Sequence, residues 1–195
     1  MYQVGITGGI GSGKTLVCSI FEKLGIPVYY ADSEAKRLMN SDQELVRHIV
    51  KLFGEDAYNG ASLNREFLSE MVFGNPELLA KLNSTVHPAV RKDFVLWVES
   101  QRDAPYVLEE AAILFESGAD RYLDRSVLVY APEAMRIRRV MQRDGLDEER
   151  VRRRMIHQMD ETAKMKLADH IIYNDETELL LPQIIALHKK LLTSR

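Results

Sequence analysis

A single cysteine, Cys18, stands among 195 residues. No intramolecular disulfide is possible, so packing must hold the fold, as suits a reducing compartment. Long apolar runs are missing too. None approaches the roughly 20 residues needed to cross a bilayer, so no transmembrane helix and no membrane partner are expected. Neither sign of charge dominates: the net charge is −3. No global field gathers nucleic acid or anionic lipid, and any basic site must be local. Internal repeats and low-complexity linkers are absent. The chain enters an apolar stretch at once with no basic leader, which predicts a cytoplasmic protein without a signal peptide. With 46% hydrophobic residues, the length suits one sizeable core with small insertions rather than two full domains.

Against these absences stands Gly8-Gly9-Ile10-Gly11-Ser12-Gly13-Lys14-Thr15. It fits the phosphate-loop pattern G-x-x-x-x-G-K-S/T at every fixed position. Before it, Tyr2-Gln3-Val4-Gly5-Ile6-Thr7 reads as a short buried strand. After it, Leu16, Val17, Ile20, Phe21 and Leu24 share one helical face, with Gly25 as a stop. Glycines such as Gly9, Gly11 and Gly13 let the backbone wrap phosphate oxygens without Cβ clashes. The amides from Gly11 through Ser12 to Leu16 can point inward at the positive end of the helix. Lys14 is placed to reach the β- and γ-phosphates, and the Thr15 hydroxyl to help hold Mg²⁺. The motif names a nucleoside triphosphate as donor and leaves the acceptor open.

Short apolar segments at 26–30, 106–109, 126–130 and 170–173 read as four more strands. Helical patterns lie between them: a helix from Glu34 capped by Ser33, one over 42–53, one over 64–73, and one from Asn75-Pro76 with a kink or fresh start at Pro88. Residues 132–165 form a charged helical region, and a last helix begins near Thr177, with a later start or a kink at Pro182. Strands alternating with helices predict an α/β fold, a five-stranded parallel sheet flanked by helices. The gap between the second and third strands reads as helix throughout and is too long for one crossover. It predicts a helical insertion over the carboxyl edge of the sheet, where ligands bind in open α/β folds.

Three groups of residues around the loop carry chemical alternatives. Asp32 follows the second strand, where a carboxylate can take the proton of an attacking hydroxyl, hold Mg²⁺ through water, or simply cap a helix. Glu109 and Glu110 end the third strand, as a metal-directed acid or as a plain charged strand end. Eight arginines crowd residues 136–154 with acids among them. They can be a salt-bridged surface, a nucleic-acid face, or a lid over phosphates. The phosphate loop favours the lid for one or two of them, and the interleaved acids weigh against nucleic acid. Arg65 and His87 read alone as a surface arginine and a structural histidine. The spacing of His87, His157 and His170 suggests no zinc site.

Together these residues resemble the dephospho-CoA kinase family along nearly the whole chain. The stretch Gly5 to Thr15 is similar to the family's opening. Tyr30-Ala31-Asp32 resembles its Asp-Ala-Asp, with tyrosine in place of the first aspartate. Leu63-Asn64-Arg65 with Val72-Phe73, the pair His87-Pro88, and Ala112-Ile113-Leu114-Phe115-Glu116 resemble further family segments. So do Gln142-Arg143-Asp144, Arg154-Met155-Ile156-His157-Gln158 and Ala168-Asp169-His170-Ile171-Ile172-Tyr173-Asn174. A glycine expected soon after Asn174 is missing, and Asp175-Glu176 stand there. The resemblance implies a P-loop kinase that uses ATP and Mg²⁺ to phosphorylate the ribose 3′-hydroxyl of dephospho-CoA. It implies Asp32 as base, substrate contacts at Asp32, Arg65 and His87, and Arg139, Arg143 and Arg154 as lid arginines near phosphates, with Asn174 near adenine. It divides one domain, 1–195, into a core (about 1–32, 104–131 and 166–195), a helical CoA-binding insertion (about 33–103) and a lid (about 132–165). The expected partners are small molecules, with the chain acting as a monomer or weak homo-oligomer. A nucleoside or nucleotide monophosphate kinase and a nucleotide-dependent binding module are the alternative readings.

Overall fold

The computed structural model describes residues 1–156 and 158–193. His157, part of one family-like segment and of the zinc reading, lies outside them. The chain forms two compact units, Met1–Tyr30 with Val98–Arg195, and Ala31–Trp97.

The first unit is built on a parallel sheet. Its strands are β1 (Tyr2–Thr7) and β2 (Val28–Tyr30), then, beyond the second unit with its two short strands β3 (Tyr58–Asn59) and β4 (Ser62–Leu63), β5 (Tyr106–Glu110), β6 (Arg125–Tyr130) and β7 (His170–Tyr173). The order is β2-β5-β1-β6-β7. Helix α1 (Lys14–Lys23) follows β1, and α9 (Leu180–Thr193) closes the chain. Their apolar faces cover one side of the sheet, burying Phe21, Ile184, Leu187 and Leu191 against Val4, Ile6, Leu108 and Val129. In the central strands adjacent residues are buried together, Val107 with Leu108 and Val127 with Leu128 and Val129, as expected where both faces of a sheet are covered. Tyr106, fully buried, brings its hydroxyl to 2.7 Å from His188 Nδ1. Between β6 and β7 lie α6 (Glu133–Asp144), α7 (Glu148–Met155) and α8 (Glu161–Leu167). A small cluster of Ile137, Val140 and Val151 joins α6 to α7, and Ile10 of the phosphate loop packs on it.

The second unit holds α2 (Ala31–Ser41), α3 (Gln43–Phe53), a hairpin of β3 (Tyr58–Asn59) and β4 (Ser62–Leu63), α4 (Arg65–Val72) and most of α5 (Pro76–Ser100). The Asp42 side chain caps α3 by accepting from Glu44 N and Leu45 N, and Asn64 caps α4 by accepting from Phe67 N. Leu45, Ile49 and Phe53 make the buried stripe of α3.

Three sequence expectations change, and the expected later start of the last helix is found. The chain passes from β2 into α2 with no intervening loop, so Asp32 and Ser33 lie inside the first turn and Ser33 is not its cap. Helix α5 runs on through Pro88. An interior proline costs about 3 kcal/mol, but Val86, Val90 and Phe94 are buried on the same helix, each stabilising by roughly 1.5–3 kcal/mol. The last helix starts at Leu180 because Asp175 accepts from both Thr177 N and its hydroxyl and holds a turn there. That start leaves Pro182 in the first turn, where a missing N–H is harmless. The gap between β2 and β5 is not all helix, since the β3–β4 hairpin interrupts it.

Candidate active site

Strand β1 delivers the chain to the loop at its carboxyl end, beside the ends of β5 and β6. Neighbouring strands are reached from opposite sides of β1, which makes this edge the switch point where open α/β sheets bind ligands. Gly13 takes a left-handed conformation, φ 97°, as the residue before α1, and no side chain caps the helix. The first-turn amides of α1 are therefore left for an anion. The Ser12 N–H bonds Gly9 O at 3.0 Å and tightens the loop. Lys14 Nζ donates to Gly8 O at 2.8 Å and lies 3.7 Å from Glu110, a carboxylate buried at the end of β5. Glu109 beside it is buried as well. Thr15 and Leu16 are exposed on the first turn of α1.

Asn174, just beyond β7, donates from Nδ2 to Ser12 O at 2.7 Å and fills the space where a side chain at Gly13 would stand. Glu176 follows in a left-handed conformation, φ 68°, which non-glycine residues rarely adopt. The structure thus retains glycine-like geometry in the stretch where the resemblance expects a glycine. The Glu176 carboxylate sits 3.4 Å from both Arg138 and Arg139. Arg143 and Arg154 both bond Asp144, at 2.7 and 2.9 Å. Those two guanidiniums hold the Asp144 carboxyl below its usual range, with Arg143 contributing most.

The arginine in closest contact with the loop is a different one, Arg136. It is 6% exposed, and its Nη1 occupies the space a Cβ on Gly9 would need. Arg136 lies 3.9 Å from Glu161, and Lys164, wholly buried, lies 4.0 Å from Glu161 and 3.0 Å from Glu116. Burial raises the Glu161 pKa, against the pull of Arg136 and Lys164. Gln158 Oε1 accepts from Ile10 N at 2.9 Å. The sequence alone gives Glu161 and Lys164 no role, places Arg136 only among eight arginines and Gln158 only within a family-like segment. A further signal is that Arg136 lies three residues before Arg139, on the same face of α6.

In the second unit, Asp32 is exposed in the first turn of α2, and Arg65 is exposed at the first position of α4. His87, half-buried on α5, has its pKa lowered by burial, and the Asp32 carboxylate opposes that shift. The sign follows from linkage. The unfolded chain takes up this proton near pH 6.5, before the folded chain does, so stability falls as pH drops through and below that value. Urea unfolding of wild type and His87→Gln between about pH 7.5 and 5.5 checks this, with wild type expected to lose stability relative to the variant on acidification. Parallel curves would mean that His87 feels no such burial.

Among the described residues no group of three or more His, Cys, Asp or Glu side chains could hold a metal ion. The loop nevertheless fits Mg²⁺, because Thr15, a hydroxyl-bearing residue, is exposed on the first turn of α1. Mg²⁺ keeps most of its waters and takes the rest of its ligands from nucleotide phosphates, so a single protein oxygen suffices.

A loop of this build at the carboxyl edge of a five-stranded parallel sheet places the chain in the class of phosphate-loop kinases. The family model for dephospho-CoA kinase matches residues 2–179. The chain is 44% identical over 180 residues to the dephospho-CoA kinase of Salinibacter ruber, covering 91% of this chain and 90% of that one. The crystal structure of TT1252 from Thermus thermophilus is 38% identical and superposes with a TM-score of 0.81, over 98% of this chain and 96% of that one. Dephospho-CoA kinase from Campylobacter jejuni is 25% identical with a TM-score of 0.69, over 96% of each chain. The chain belongs to the dephospho-CoA kinase family. No helix among the described residues is long and apolar enough to cross a membrane.

Proposed function

We propose that this protein transfers the γ-phosphoryl group of ATP to the ribose 3′-hydroxyl of dephospho-CoA, giving coenzyme A and ADP, the last step of coenzyme A biosynthesis in the cytoplasm. The observation that carries the reading is the uncapped start of α1 behind Gly13, with Lys14 folded over the loop, in a chain that matches this family from residue 2 to residue 179.

In this reading the first-turn amides of α1 and Lys14 hold the β- and γ-phosphates. Thr15 would hold Mg²⁺, which would supply neutralising charge to the phosphates. Asp32 accepts the proton of the 3′-hydroxyl as its oxygen bonds to the γ-phosphorus, and the bond to the β–γ bridging oxygen breaks to release ADP. Arg139, Arg143 and Arg154 let go of their acidic partners to meet phosphate oxygens, Asn174 borders the adenine, and Arg65 and His87 contact the acceptor. Residues 132–165 close over the site and keep water from the γ-phosphate.

A coupled assay for ADP tests this directly. ADP is expected to appear with ATP, Mg²⁺ and dephospho-CoA together, and not when a nucleoside or a nucleoside monophosphate replaces the acceptor. Turnover with one of those acceptors and none with dephospho-CoA would move the protein to another kinase class.

A further inference from the structure

The ion cluster beside the phosphate loop has no part in the reaction as described, yet its Arg136 packs directly against Gly9 and Gly11 of that loop. We propose that Arg136 and Glu161, backed by Lys164 and Glu116, form a strut that fixes the Gly9–Ile10 backbone and so sets the affinity for nucleotide.

Several observations carry this. Gly9 has no room for a side chain, because Arg136 Nη1 fills that space and Glu161 Oε1 lies 2.8 Å from it. Gly11 is equally confined, with the Arg136 carbonyl oxygen 2.5 Å from the position of its missing Cβ. Ile10, between them, donates its N–H to Gln158 and packs on the α6–α7 cluster. The loop is therefore held on its side chains, its amide and its glycine faces by α6 and by the segment that runs into α8.

The cluster is itself firmly seated. Lys164 is wholly buried and bonds Glu116, which also accepts from Met159 N at 2.7 Å. Arg136, Glu161 and Lys164 are buried and Glu116 joins them from the exposed rim, so two cations balance two carboxylates as long as every member is present.

The bonding within the cluster is also incomplete. Arg136 Nε and both Glu161 oxygens are buried without a hydrogen-bond partner, where buried polar groups are nearly always paired. Glu161 Oε1 lies 2.8 Å from the place of a Cβ on Gly9, within reach of a bond from the Gly9 N–H. A small closure of the loop on phosphate completes that bond, so nucleotide binding and the strut reinforce each other. Arg136 and Glu161 are positioning residues here, acting on phosphate through the backbone of the loop.

The proposal rests on the loop being the nucleotide site, and calorimetric titration of ADP with Mg²⁺ into the full chain separates the two. Absence of binding to wild type overturns the nucleotide reading and the strut with it. With wild type binding, Glu161→Gln and Arg136→Met are each expected to weaken ADP about tenfold and to raise the KM for ATP by a similar factor, with the KM for dephospho-CoA unchanged. The double variant is expected to be little weaker than either single one, since both break one device. Arg136→Lys should regain part of the loss. ADP affinity within twofold of wild type in a folded Glu161→Gln protein overturns the strut, and this near-isosteric change serves even if Arg136→Met does not fold. A fall in melting temperature with ADP affinity and the ATP KM unchanged also overturns it, by assigning the cluster to stability alone.

Discussion

Asp32→Asn is expected to lower kcat about 10²–10⁴-fold, the usual contribution of a positioned base, with ATP affinity unchanged. The substitution preserves shape in an exposed first turn of α2. Its cost to the helix, loss of one negative charge near the positive end, is about 0.3–1 kcal/mol, too little to unfold the protein. A loss of turnover therefore reports chemistry. A base acts only as the acceptor oxygen attacks, so kcat and kcat/KM should fall together. Steady-state kinetics with ATP and dephospho-CoA, alongside ADP titration, measure both quantities. An unchanged kcat would return Asp32 to the solvated first-turn acid that the helix alone requires.

Lys14→Ala is expected to act on both steps. It removes an ammonium that the loop holds in place through Gly8 O, beside buried Glu110. Loss of one preorganised electrostatic group lowers turnover about 10²–10³-fold. Affinity for nucleotide should fall as well, since the charge acts on bound phosphates before any bond breaks. The contrast with Asp32→Asn is the informative part: one variant binds normally and fails to turn over, the other is impaired in both. A Lys14→Ala enzyme with normal kcat/KM would mean that the loop holds something other than the transferred phosphate.

The phosphate loop was legible because its chemistry is local. Glycine, lysine and threonine at fixed offsets between an apolar strand and an amphipathic helix need no tertiary information. The sheet was legible for a related reason, since β1, β6 and β7 are runs of apolar residues bounded by turns. The β3–β4 hairpin escaped because strands of two residues show no alternation. The start of α2 is hidden in the sequence because β2 runs into it with no loop, which puts the cap-like Ser33 inside the first turn. Arg136 was hidden for another reason. In the sequence it is one of eight arginines with acids around them, and only the packing of α6 over Gly9 separates it from those on the surface. Glu161 and Lys164 look like ordinary polar residues of a short helix, and their burial comes from segments distant in sequence, Glu116 and Ala112 among them.

Cys18 lies four residues beyond Lys14 on α1, fully buried, and burial pushes its thiol far above its ordinary range. The protonated, enclosed sulfur is neither nucleophilic nor reachable by oxidants. A protein whose proposed product exists to carry a reactive thiol thus keeps its own out of circulation. Disulfide exchange with coenzyme A, and oxidative control through the chain's one cysteine, are closed off by the same packing that seats the helix behind the loop.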